Sequence, residues 1–380
     1  MDSRDACNRL KNTQQADDRQ KHKHKADART SLRTLVVHGD SDLFRLPDDE
    51  NLILDGDFRW RRSDGLLPSC EDFDWLVDYL VEEVNTTADD KTVGDALLAL
   101  SAMPNLRSST KRHSYITALI RCMDPARPPR VRHAALRAID DAREELASMT
   151  NESIPQAVDA TLLDKLSCAI LTVVCPNHSQ DQTLPCSGPH ASFNWRRDAC
   201  YFRLIFALTQ SDEWRERLTR DGHFEHCIVL AEHSLERYSS VPGCYLAGIF
   251  AYINSSDKVL PLGPTQRRWQ AFISETWEDT RHEIYEDTGV NALLVLVAAT
   301  RHNLRSWDSS VPNEELTELT TGVYRTLESM QSTKDFLVAY RLDQVLFDAA
   351  LSSVQGLYDD LRRMIENPNA LQTDNGSLES

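Results

Sequence analysis

From Ser69 to about residue 365 the apolar side chains recur at three- and four-residue spacing, and no convincing period-two alternation interrupts them. That periodicity confines the chain to helices, because a strand buries every second residue and a helix buries one stripe. The clearest stripe follows Pro128-Pro129, where Val131, Ala134, Ala135, Ala138, Ile139, Ala142 and Leu146 share a face through roughly four turns. Its small alanines let a neighbouring helix approach closely, as stacked helix hairpins require.

Start and stop signals divide the span. Ser69 and Asp72 form a capping box ahead of Phe73, Leu76, Tyr79, Leu80 and Val84. Thr92 and Asp95 open a second helix through Ala96 to Met103, which Pro104 ends. Tyr115, Ile116, Leu119, Ile120 and Met123 mark a third. Further helices are expected at about 156–174, 195–209, 212–219, 222–238, 243–254, 265–285, 289–304, 312–330 and 333–365, the last broken into two. Glycine numbers 13 in 380, and glycine is what hairpin turns and phosphate loops need. The fold class is therefore all-α, either an α-solenoid of helix hairpins or, alternatively, a compact helical bundle.

The expected domain organisation has four parts. Residues 1–30 are polar, charged and without aromatics, and read as a disordered tail. Residues 31–68 read as an irregular N-terminal cap, whose Phe44, Leu46, Phe58 and Trp60 cover the first helix. Residues 69–366 form the helical-repeat domain, with an interhelical loop at 175–194, and residues 367–380 form a second disordered tail.

The net charge is −17. Residues 1–30 hold eight basic against five acidic side chains, which leaves the rest of the chain at −20. Such a body repels phosphate backbones, which excludes a primary nucleic-acid function and suits a basic protein partner. The longest apolar run, Val290 to Ala299, is about half of a membrane span, so no membrane association is expected. Nine scattered cysteines and a polar N-terminus point to reduced thiols in an intracellular compartment, cytoplasmic or nuclear.

The segment Asp124-Pro125-Ala-Arg-Pro-Pro129-Arg-Val131-Arg132-His-Ala134-Ala135-Leu136-Arg-Ala138-Ile139 resembles the turn and second helix of a HEAT repeat. A second stretch, Asp221-Gly222-His223-Phe224 to Leu230 followed by Tyr245-Leu246-Ala247-Gly248-Ile249-Phe250, is similar to an armadillo-type hairpin entered at a glycine. The overall texture is similar to fungal armadillo-like proteins without assigned activity. The resemblance covers roughly 40 to 80 residues by motif and the remainder by periodicity. It implies a non-enzymatic scaffold or adaptor with an extended protein-binding surface.

The sharpest chemical constellation is Cys175-Pro-Asn-His178 followed by Cys186-Ser-Gly-Pro-His190. Two thiols and two imidazoles match what a structural zinc ion takes, although the spacing is not that of a common finger. His223, His226 and Cys227, with Glu225 between and His233 beyond, share a helix face and read as structural or solvated. Asp140, Asp141, Glu144 and Glu145 alternate with Arg137 and Arg143, the charge pattern of a solvated helix face. Trp75, Trp195, Trp269 and Trp277 fall on apolar stripes and are expected in the core. Neither a dinucleotide fingerprint, a Walker loop nor a nucleophile elbow is present, so no cofactor and no enzymatic activity are expected. The expected function is protein binding through the helical surface. The rival is a compact helical protein with a structural zinc loop or an unidentified enzymatic role.

Overall fold

The computed structural model describes residues 70–85, 90–101, 109–148, 159–175, 195–234, 241–255, 265–305, 313–340 and 342–366. The expected tails, the cap and, apart from Cys175, the 175–194 loop lie outside them. Among the described residues every regular element is a helix. Two compact units divide the chain, Met1–His223 and Phe224–Ser380.

The first unit contains α1 (Cys70–Asn85), α2 (Asp90–Ser101), α3 (Arg112–Cys122), α4 (Pro129–Asp141), α5 (Arg143–Ser148), α6 (Ala160–Val174), α7 (Trp195–Leu208) and α8 (Asp212–Arg220). Helices pack on others two or three further along as well as on their neighbours: α1 on α3 and α3 on α6, and α2 on α4 and α4 on α7. The α3–α4 connection is a tight turn. Asp124 accepts the Ala126 N–H at 2.8 Å, and its carbonyl accepts Arg127 N–H at 2.9 Å. Pro129 then occupies the first turn of α4, where its missing N–H costs nothing. Val131, Ala135 and Ile139 are fully buried, as the sequence stripe requires.

That stripe does not run unbroken to Leu146. The chain leaves helical geometry at Ala142 (φ −96°, ψ 10°), where the Asp140 carbonyl accepts both Ala142 N–H and Arg143 Nη1. The short α5 follows, and Leu146 within it is buried. The second helix also departs from expectation: it begins at Asp90, so Thr92 lies inside it and is buried instead of capping it.

The second unit holds most of α9 (His223–Ser234), then α10 (Val241–Ser255), α11 (Thr265–Thr280), α12 (Asp287–Arg305), α13 (Asn313–Thr333), α14 (Leu337–Tyr340) and α15 (Gln344–Glu366). The same alternation recurs, α10 on α12 and α11 on α13, and α15 packs on both α12 and α13. Trp277 at the centre is fully buried, and its indole N–H donates to Thr300 Oγ1 at 3.0 Å. On α15 the buried side chains Phe347, Ala350, Val354, Leu357 and Leu361 keep the three-and-four spacing. Among the described residues no helix is long and apolar enough to cross a membrane.

Candidate functional site

The charged face of α4 is turned into the first unit, which corrects the solvated reading of Arg137 and Asp140. Asp140 is fully buried and Arg137 nearly so. Position 140 stands one turn along from Leu136 on the side that meets α7, and Arg203 of α7 supplies the counter-charge. Its Nε lies 2.9 and 3.1 Å from the two carboxylate oxygens, and Nη2 closes the fork. Arg143 flanks the carboxylate at 3.6 Å, and Arg137 reaches Asp141 at 3.5 Å. Burial opposes the charged form of Arg203, but the charge and hydrogen bonds of Asp140 outweigh it and raise its pKa. Burial also pushes the Asp141 carboxyl up to about 6, against the pull of Arg137.

The other end of α4 is basic. Arg130, Arg132 and His133 occupy its first turns, the first turn has no acidic residue, and no side chain caps the helix. Arg132 Nε and Nη1 are buried with no hydrogen-bond partner among the described residues. Arg197, in the first turn of α7, is buried, and its Nε is 2.8 Å from Asp198. Burial first, and then Arg197 and Arg132, press the His133 imidazole down to about 4. Burial and Arg197 likewise lower Arg132.

A third cluster surrounds His223. Its Nε2 lies 3.1 Å from the Ser167 carbonyl and 3.2 Å from Ser167 Oγ, and its Nδ1 lies 3.0 Å from Tyr201 OH. The carbonyl can only accept, so Nε2 carries the proton and Nδ1 accepts from tyrosine. Serine, tyrosine and histidine are all fully buried, which makes this a tie among α6, α7 and the start of α9 rather than a reactive centre. The structural reading of His223 is the one its position supports. His226 and Cys227 are buried as well, while the side chain of His233 lies outside the described residues.

Of the four residues with zinc-ligand chemistry, only Cys175 is described. It is buried where α6 ends and is disulfide-bonded, which departs from the reduced-thiol expectation for that residue. His178, Cys186 and His190 lie outside the described residues. Among the described residues no group of three or more His, Cys, Asp or Glu side chains could hold a metal ion. Cys122, Cys168, Cys200, Cys227 and Cys244 are not in disulfides, and burial pushes Cys122, Cys200 and Cys244 up to about 12. Those three thiols stay protonated at neutral pH and are poor nucleophiles.

Of the tryptophans expected in the core, Trp277 is there; the side chains of Trp75, Trp195 and Trp269 lie outside the description. Trp214, hidden in the polar run Asp212-Glu213-Trp-Arg-Glu216, is equally buried, and its indole N–H donates to the Leu146 carbonyl at 3.3 Å. The unpartnered Arg132 also escaped the sequence reading. The available signal was a run of basic residues at a helix start, opposed to the helix dipole. Comparison with known proteins finds no matching family model, no matching curated protein and no matching solved structure.

Proposed function

We propose that this protein is a non-enzymatic scaffold of HEAT or armadillo type, binding protein partners along a surface made by successive helix hairpins. The alternating packing carries this reading: α1, α3 and α6 form one row, and α2, α4 and α7 another. Stacked hairpins produce such rows, and a row of parallel helices offers a long continuous face without catalytic geometry. The buried His223 cluster and the protonated buried thiols favour the same conclusion, because neither offers a substrate a reactive group. The acidic body, −20 outside residues 1–30, suits a partner that is basic where the two meet.

Affinity capture of the tagged chain from its native cells, with quantitative mass spectrometry, tests the proposal. A reproducible protein near stoichiometric amount supports it, and recovery of the bare chain contradicts it. The zinc proposal for Cys175, His178, Cys186 and His190 is tested separately by metal content. A disulfide and a zinc–thiolate bond are mutually exclusive uses of the Cys175 sulfur. One equivalent of zinc with all thiols reduced supports the metal site, and metal-free protein refutes it.

A further inference from the structure

We infer that the end of the second unit where α13 turns into α15 is a docking surface for a basic amphipathic segment of a protein partner; the inference rests on the scaffold reading. Several helix ends meet there. Asp343 N–H donates to Asp287 Oδ1 at 2.9 Å beside the starts of α15 and α12, and Arg301 lies 3.7 Å from Asp360 further along both, so these two helices run in parallel. Lys334 lies 3.3 Å from Asp348, and the Tyr324 and Tyr358 rings are 5.5 Å apart, so α13 runs against α15 and finishes at the same end. Thr326 Oγ1 donates to the Trp277 carbonyl at 3.2 Å, which sets the last turn of α11 alongside.

Among the described residues, the large apolar side chains left exposed all fall in the second unit. Five of the seven, Tyr285, Phe336, Val338, Tyr340 and Val345, belong to the connections at this end or to the first turn of α15. Val338 is 93% exposed and Val345 80%. The Tyr285 and Tyr340 rings, 5.0 Å apart, join the α11–α12 turn to α14. A gathering of this kind marks an interaction site, because only a partner takes it out of water. Charge selects the occupant. Residues 281–287 hold three acidic and one basic side chain, and residues 334–348 hold three and two, so the sum is −3. Of the basic ones, Arg281 lies 2.7 Å from Glu278 and Lys334 is paired with Asp348, while Glu283, Asp335 and Asp343 are exposed among the apolar side chains. A second copy brings the same acidic end and a net charge of −17, and an anionic bilayer brings phosphates, so both are repelled. A segment with apolar side chains on one face and Lys or Arg around them meets both demands.

The purified full chain is titrated against a labelled synthetic peptide of about 18 residues, with leucines at three-and-four spacing and lysines elsewhere, and binding is read by fluorescence anisotropy. The expected result is saturable binding that weakens as salt rises. Val338→Asp with Val345→Asp weakens it at least about tenfold at unchanged Tm, since both valines face water. Glu283→Lys with Asp335→Lys weakens it as well, while every apolar side chain stays in place. A wild-type chain that does not bind the peptide overturns the inference, as does binding that either pair of substitutions leaves unaltered. Equal binding of a peptide carrying glutamates in place of the lysines overturns it too. Sedimentation with phosphatidylserine vesicles, or a concentration-dependent dimer, lost in either case with the valine pair, would assign the surface to a bilayer or a second copy and overturn it. Affinity capture keeps the two readings apart. A stoichiometric partner still captured by the valine pair overturns this site alone, and a bare wild-type chain that binds the peptide contradicts the scaffold reading alone.

Discussion

Replacing Asp140 by alanine should be among the most damaging single changes in the first unit. Asp140 is fully buried, and Arg203 is nearly so, with 14% of its side chain exposed. Truncation leaves the guanidinium of Arg203 inside the unit without its forked acceptor and removes the carboxylate that flanks Arg143 at 3.6 Å. Breaking a buried ion pair from one side costs about 3–5 kcal/mol, far more than the pair contributes over a well-packed apolar substitute. In a unit of this size that corresponds to a fall in Tm of about 10 °C. Urea unfolding at pH 7, followed by circular dichroism, reads the change as a lower midpoint at constant slope. The double substitution Asp140→Leu with Arg203→Met should recover most of the loss, because no charge then remains buried. A cost below about 1 kcal/mol for the single change, or a double variant as unstable as the single one, would refute the reasoning.

Three further outcomes follow from the same structure. His133, held near 4 against an ordinary 6.5, stays neutral in the folded chain. Its contribution is fully present above pH 6.5 and is lost as pH falls to 4, by about 3 kcal/mol; His133→Gln should flatten that part of the stability profile, and an unchanged profile counts against it. Gly289→Ala would place a methyl carbon 1.8 Å from the Glu283 carbonyl oxygen, so the start of α12 must shift at a cost of about 3 kcal/mol, measurable as a lower urea midpoint. Tyr201→Phe strips His223 Nδ1 of its donor in a fully buried site and should cost about 1–2 kcal/mol in the same assay.

Helical periodicity was legible along much of the chain because burial of one stripe is a local demand. Val131, Ala135 and Ile139 declare their face whatever they pack against. Charge placement was not legible in the same way. Arg137, Asp140, Asp141 and Arg143 alternate identically whether water or a distant helix neutralises them, and the partner that decides is Arg203, 63 positions away. Trp214 was missed for the converse reason, since its neighbours are charged and its only polar need is met by Leu146, 68 positions earlier. At Thr92 a correct local motif lost to packing: α2 began at Asp90 and took the threonine into its buried face. The His223 tie joins Ser167, Tyr201 and His223 from three helices, so no spacing rule could reveal it.

Hydrogen–deuterium exchange of the captured complex against the free chain tests the central claim most directly. A scaffold reading through a row of helices predicts slowed exchange on successive members of one row, such as α2, α4 and α7 together. Protection confined to a single loop, or no protection anywhere on the helices, would contradict it.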